Sequence, residues 1–209
     1  MTKKLMALLL AVLMAVSLLP MPALADGSAT VITDISKITE AGSYILDKAG
    51  APKEIVLSGP LAIGADVTLE LTGQTVTLAL AEGESYADSS VFHVESGSLT
   101  LKGSGIVKVP DNASGIVVAK DAAVSILGEV SISGGASGVK AVVGASGVKI
   151  RVDTLGRIES ANGINLSGAS GEIRLACPQI YSSIIKSPNT RTFCPLKRGR
   201  SSNKRCFIN

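Results

Sequence analysis

Four carboxylates, Asp111, Asp121, Asp153 and Glu159, share a stretch of chain with two guanidinium groups, Arg151 and Arg157. Gathered on one solvent face, such groups could hold calcium or serve as acid and base in cleaving a polysaccharide. Here they are scattered over turns and polar strand positions, where Asp and Arg serve solubility and turn geometry. His93 is the single histidine and lies in Val91-Phe92-His93-Val94-Glu95. No cysteine lies near it to complete a zinc site, and no serine occupies a Gly-x-Ser-x-Gly elbow with which it could build a triad. It reads as a polar-face strand residue. The Gly-rich run Ser133-Gly134-Gly135-Ala136-Ser137-Gly138 lacks the Gly-Lys-Ser/Thr ending and the following helix of a phosphate loop. No catalytic, cofactor-binding or metal-ligating residue is therefore assigned, no cofactor is expected, and the reading favours a chain that is not an enzyme.

Charge is distributed unevenly. The formal net charge of +3 conceals a stretch, residues 26–175, that carries all 17 acidic residues against 11 basic ones. Residues 176–209 carry 7 basic residues and no acidic ones, and also hold all three cysteines, Cys177, Cys194 and Cys206. The clusters Lys197-Arg198-Gly199-Arg200 and Lys204-Arg205 lack the interleaved aromatics on which bases stack, so no nucleic-acid partner is expected.

The elements that must position any site are short apolar alternations separated by Gly, Ser and Asn. Val67-Thr68-Leu69-Glu70-Leu71, Ser98-Leu99-Thr100-Leu101, Val124-Ser125-Ile126 and Val148-Lys149-Ile150-Arg151-Val152 each offer one apolar and one polar face, as a half-buried strand does. They recur. Leu71-Thr72-Gly73, Leu101-Lys102-Gly103 and Ile126-Leu127-Gly128 are spaced by 30 and then 25 residues. A second series, Ala113-Ser114-Gly115, Ala136-Ser137-Gly138 and Ala161-Asn162-Gly163, is spaced by 23 and 25. A period of about 25 residues signals a solenoid, and each period holds three strand-like pieces. The expectation is an all-β, right-handed parallel β-helix of about five coils. A β-sandwich is the alternative, but it carries more core aromatics, and aromatics are only 3% of this chain, with no Trp, while 46% is hydrophobic. Leu69, Leu71, Leu99, Leu101, Val124, Ile126, Val148 and Ile150 are expected to point inward.

The stretch from Val67-Thr68-Leu69-Glu70-Leu71-Thr72-Gly73-Gln74-Thr75-Val76 to Gly97-Ser98-Leu99-Thr100-Leu101-Lys102-Gly103-Ser104-Gly105 resembles the right-handed, pectate-lyase-like β-helix repeats of bacterial surface or secreted proteins. The resemblance covers roughly residues 42–175 and rests on repeat texture. It implies architecture more than function, because such repeats occur in carbohydrate-active enzymes, glycan-binding modules and adhesins.

Lys3 and Lys4, an apolar run over residues 5–19, and the small-residue site Ala23-Leu24-Ala25 read as a cleavable signal peptide. The run is shorter than the roughly 18 residues needed to span a bilayer, and no transmembrane segment is expected after cleavage. The expected organisation is a signal peptide over 1–25, a lead-in over 26–41, the β-helix over 42–175, and a disordered or frame-shifted basic tail over 176–209. Pro178, Pro188 and Pro195 are read as interrupting any ladder in that tail. The chain is expected to be secreted or extracellular, associated with the cell surface, and to act as a non-catalytic, adhesin-like or glycan-binding interaction module. Its expected partners are extracellular glycans or cell-envelope polymers, with self-association through open solenoid ends. A fragment of a polysaccharide lyase or glycoside hydrolase, and a structural spacer in a larger surface protein, are the rival readings.

Overall fold

The four alternations singled out above all lie in strands, because alternate Val, Ile and Leu side chains leave water only when a sheet turns one face inward. The computed structural model describes residues 29–153, 155–176, 179–180, 183–186 and 191–193. The chain enters through β1 (Thr30–Ile32), a 3-10 turn (Ile35–Lys37) and β2 (Gly42–Leu46), then passes β3 (Glu54–Leu57) and β4 (Leu61–Ile63). Two long strands each carry two sides of a coil: β5 (Val67–Leu78) is followed by β6 (Ser90–Val94), and β7 (Ser98–Val109) by β8 (Ser114–Val118). Later coils use three separate strands. These are β9 (Ala123–Ile126), β10 (Glu129–Gly134) and β11 (Ser137–Ala141), then β12 (Val148–Val152), β13 (Arg157–Glu159) and β14 (Asn162–Leu166). The ladder goes on through β15 (Gly171–Leu175), β16 (Gln179–Ile180), β17 (Ser183–Lys186) and β18 (Arg191–Phe193).

Three faces result. The first stacks β1, β2, the front halves of β5 and β7, β9, β12, β15 and β18. The second stacks β3, the rear halves of β5 and β7, β10, β13 and β16. The third stacks β4, β6, β8, β11, β14 and β17. The described pairings are all parallel. The fold is a parallel β-solenoid of about five turns, and the antiparallel sandwich is excluded. All eight residues expected to point inward are buried, none more than 1% exposed. Ile32, Ile35 and Ile38 of the lead-in join the same core, with Leu46 beneath them.

The two glycine series have different causes. Gly103 turns the chain from the first face to the second with φ of +86°, and a Cβ there would lie 2.3 Å from the Leu71 carbonyl oxygen of the previous coil. Gly138 has no unusual φ, yet a Cβ would lie 2.3 Å from Ile158 Cγ2 and 2.7 Å from the Gly163 carbonyl oxygen. The first glycine is demanded by backbone conformation and close stacking, the second by the narrow corner between the second and third faces.

Two pairings depart from strict register, β14 with β17 between Asn162 and Ile164, and β5 with β7. Between Thr72 and Thr75 the pairing of β5 with β7 shifts, leaving one more residue on β5. The side chain of Gln74, 3% exposed, fills the irregularity. Its Oε1 accepts from the Thr72 backbone N–H at 2.7 Å, and its Nε2 donates to Thr72 Oγ1 at 3.0 Å and to the Asp47 carbonyl at 3.4 Å. Gln74→Leu keeps the volume but strips partners from a buried amide, and is expected to cost about 1–3 kcal/mol in chemical denaturation. A change inside about 0.5 kcal/mol, the range of ordinary surface substitutions, would show that the amide is not needed there.

The ladder also passes the boundary expected at Leu175. β16 pairs with β13, β17 with β14 and β18 with β15, so residues 179–180, 183–186 and 191–193 form further strands of the stack. The prolines read as ladder breakers, Pro178, Pro188 and Pro195, lie outside the described residues. Residues 1–25, the three cysteines and residues 194–209 lie outside the described residues, and with them the expected signal peptide, any disulfide and the end of the tail.

Candidate functional site

Inward side chains of a solenoid are consumed by the core, so a site must be built from outward residues, one per coil, in rows that follow the parallel register. The four carboxylates considered above do not share a row. Asp111 is exposed in the turn between the second and third faces. Asp121 occupies the turn leading back to the first face, with φ of +58°, and Asp153 stands at the corner after β12. Glu159 alone lies on a sheet face, ion-paired with Arg157 of the same strand. Arg151 is on the first face and Arg157 on the second. Among the described residues no three His, Cys, Asp or Glu side chains come together in a way that could hold a metal ion.

The third face is largely covered. His93, half-buried, stacks in register between Ala62 and Val117, and Val117 is followed by Lys140 and Asn165. Lys140 reaches across β8 to Asp88, with Nζ 2.8 Å from Oδ1, and Val117 beneath, though outward-facing, is only 9% exposed. The Lys140 ammonium holds the Asp88 carboxyl below the usual carboxylate range, first by its hydrogen bond and then by its charge. A carboxyl lowered in this way contributes stability above its ordinary pKa and loses it as pH falls through the lowered value. With Lys140→Met, the Asp88 carboxyl is expected to titrate at higher pH in side-chain NMR. An unchanged titration would mean the two groups do not meet in solution.

The second face carries a shallow cleft of about 490 Å³. Its floor is Ser131 and Ser133 of β10, in register with Arg157 and Glu159 of β13. Ile106 and Leu155 flank it, 44% and 57% exposed, and Glu129 completes the lining. The sequence alone shows half of this site, Arg157 and Glu159 of one strand, whereas Glu129 and the serines come from another coil.

The first face is also accessible along its outward rows. Its central outward row runs Ser43, Thr68, Thr100, Ser125, Arg151, Arg174, one residue per coil and in register throughout. Successive members are therefore about 4.8 Å apart in backbone position. Thr68, Thr100 and Ser125 are half-buried at their bases, and their hydroxyls have no partner among the described residues. A neighbouring row runs Ser98, Ala123, Lys149, Glu172, Arg191. A third places Glu70 beside Lys102, with an ion pair of 2.9 Å. The signal for these rows is present in the sequence as the polar member of each alternation, but unequal coil lengths conceal which polar residues become neighbours.

Among the described residues no helix is long and apolar enough to cross a membrane. No protein-family model, curated protein or solved structure significantly matches the chain. The structure thus bears out a parallel β-helix, and no match supports the pectate-lyase-like or surface type.

Proposed function

We propose that this chain is an exported, non-catalytic interaction module of the extracellular or cell-surface kind, and that its first face binds glycans or cell-envelope polymers. One observation carries the reading: the in-register row of unpartnered hydroxyls, Thr68, Thr100 and Ser125, on an exposed sheet. Donor–acceptor hydroxyls fixed on a rigid face at regular spacing suit a ligand that is itself a repeating chain of hydroxyls. The face needs no rearrangement to receive it, which lowers the ordering cost of binding. Export is supported by the charged, apolar and small-residue order of residues 1–25. The same features suit an adhesin-like protein of the bacterial surface type that its repeats resemble.

A glycan array probed with the full chain tests the reading. Saturable binding without product is expected. Thr100→Val should weaken that binding about tenfold while leaving the melting curve in place, since it removes a hydroxyl and keeps the shape. Silence on every glycan would leave a structural spacer as the better account. A second reading, a fragment of a polysaccharide lyase or glycoside hydrolase, is favoured by the presence of Glu129 and Glu159 among the residues that line the second-face cleft. Release of shortened oligosaccharide, abolished by Glu129→Gln, would establish it in place of the first.

A further inference from the structure

The first face changes character abruptly along the stack. In its central row the hydroxyls end at Ser125, and the next two coils carry guanidinium groups in register with each other, Arg151 and Arg174. Like charges set opposite one another on adjacent strands repel. Arg174 is ion-paired with Glu172 of its own strand, but Arg151 and its neighbour Lys149 have no ion pair or hydrogen bond among the described residues. Arg191, exposed, stands one coil beyond Glu172. Four cations therefore meet two carboxylates, Glu172 and Asp153 at the adjoining corner, and the excess is positive on a body whose overall balance is acidic.

We infer that this end of the first face binds a tetrahedral oxyanion, the sulfate ester or phosphodiester of an extracellular polymer, bridged between Arg151 and Arg174. The inference rests on the first-face binding proposed above and names the charged part of the ligand. A guanidinium presents its donors as a planar fork, and the two oxygens of a carboxylate are satisfied by one such fork. A tetrahedral oxyanion has oxygens pointing in several directions, so one group can face two forks about 4.8 Å apart in the backbone. Its charge also removes the repulsion between them. The hydroxyl row at Ser125, Thr100 and Thr68 continues from the cations along the stack, which places the neutral remainder of the same polymer.

Binding of the full chain to four probes decides the matter: dextran sulfate, a poly(glycerol phosphate), polygalacturonate and neutral dextran. The sulfate or the phosphodiester polymer should bind at least about tenfold more tightly than polygalacturonate, and whichever is tighter identifies the source of the oxyanion. Arg151→Ser and Arg174→Ser place in these coils the hydroxyl type that Ser125 already carries, and each should weaken binding about tenfold. Glu172→Gln removes the carboxylate that Arg174 pairs with on its own strand and should tighten binding several-fold, a gain that structural damage would not produce. Lys108→Ser on the second face removes the same charge elsewhere and should have little effect, as should replacing Lys197, Arg198 and Arg200 together by Ser. Equal losses from Lys108→Ser, loss only from the tail variant, or polygalacturonate binding as tightly as the oxyanion polymers would each overturn the inference. If neutral dextran and the hydroxyl-dependent glycans bind while the oxyanion polymers show no preference, the inference fails alone. If nothing binds, the first-face reading fails with it.

Discussion

Leu101→Asp and Ile126→Asp are expected to abolish the folded solenoid around the coils that carry them. Both side chains are fully buried and stand in register on the first face, Leu101 against Leu69 on one side and Ile126 on the other. A carboxylate there has no cation within the core, because the inward rows are apolar from coil to coil. Burying an unpaired charge is so unfavourable that the group neutralises or the site opens to water. Even truncation to Ala should cost about 2–5 kcal/mol, a large part of the roughly 5–15 kcal/mol that keeps a typical domain folded. Coils contact only their neighbours, so the damage should be read locally as well as globally. Hydrogen exchange is expected to show protection lost across β5, β7 and β9 together. Retained protection in those strands would mean that Leu101 does not face the shared core.

The second large effect is expected at Gly138. Gly138→Val drives a branched side chain toward Ile158 Cγ2 and the Gly163 carbonyl, which already lie 2.3 and 2.7 Å from where a Cβ would sit. One of the two obstacles is backbone of the next coil, so relief requires moving a strand, and the cost is expected at or above the roughly 1–3 kcal/mol typical of overpacking. Gly103→Val should behave similarly, with left-handed backbone strain added to its approach to Leu71. The contrast is Gly59→Ala, where nothing lies within 4 Å and φ is unremarkable. That change should be neutral or stabilising by up to about 1 kcal/mol, because it restricts only the unfolded chain. Melting temperatures of the three variants check the order. Equal shifts would show that the repeated glycines are not demanded by stacking.

Much of this architecture is legible in the residues alone. Period-two alternation is a local property, so Leu69, Leu71, Leu99 and Leu101 declare their inward direction without knowledge of their neighbours. The recurrence of Gly73, Gly103 and Gly128 marks a corner because no other residue takes that backbone conformation at little cost. From these features a parallel solenoid with three strands per coil follows. The end of the stack was less legible. The loss of acidic residues and the prolines suggest a stop at Leu175, but strands pair with distant coils, and β16, β17 and β18 join β13, β14 and β15 in a register that no local feature announces.

The composition of the outward rows required the folded chain. Coil lengths of 30, 25 and 23 residues differ through turns, and a one-residue change in a turn alters which polar side chains meet. Arg151 is 23 residues from Arg174 in sequence, and nothing local says that they oppose each other on adjacent strands. Nor does anything local place Glu129 with Glu159 around one cleft while holding Asp111, Asp121 and Asp153 at separate corners. Burial direction is a property of a few consecutive residues, and the chain carries it everywhere. Neighbourhood on a solenoid surface is a property of register between distant coils, and only the stacked backbone supplies it.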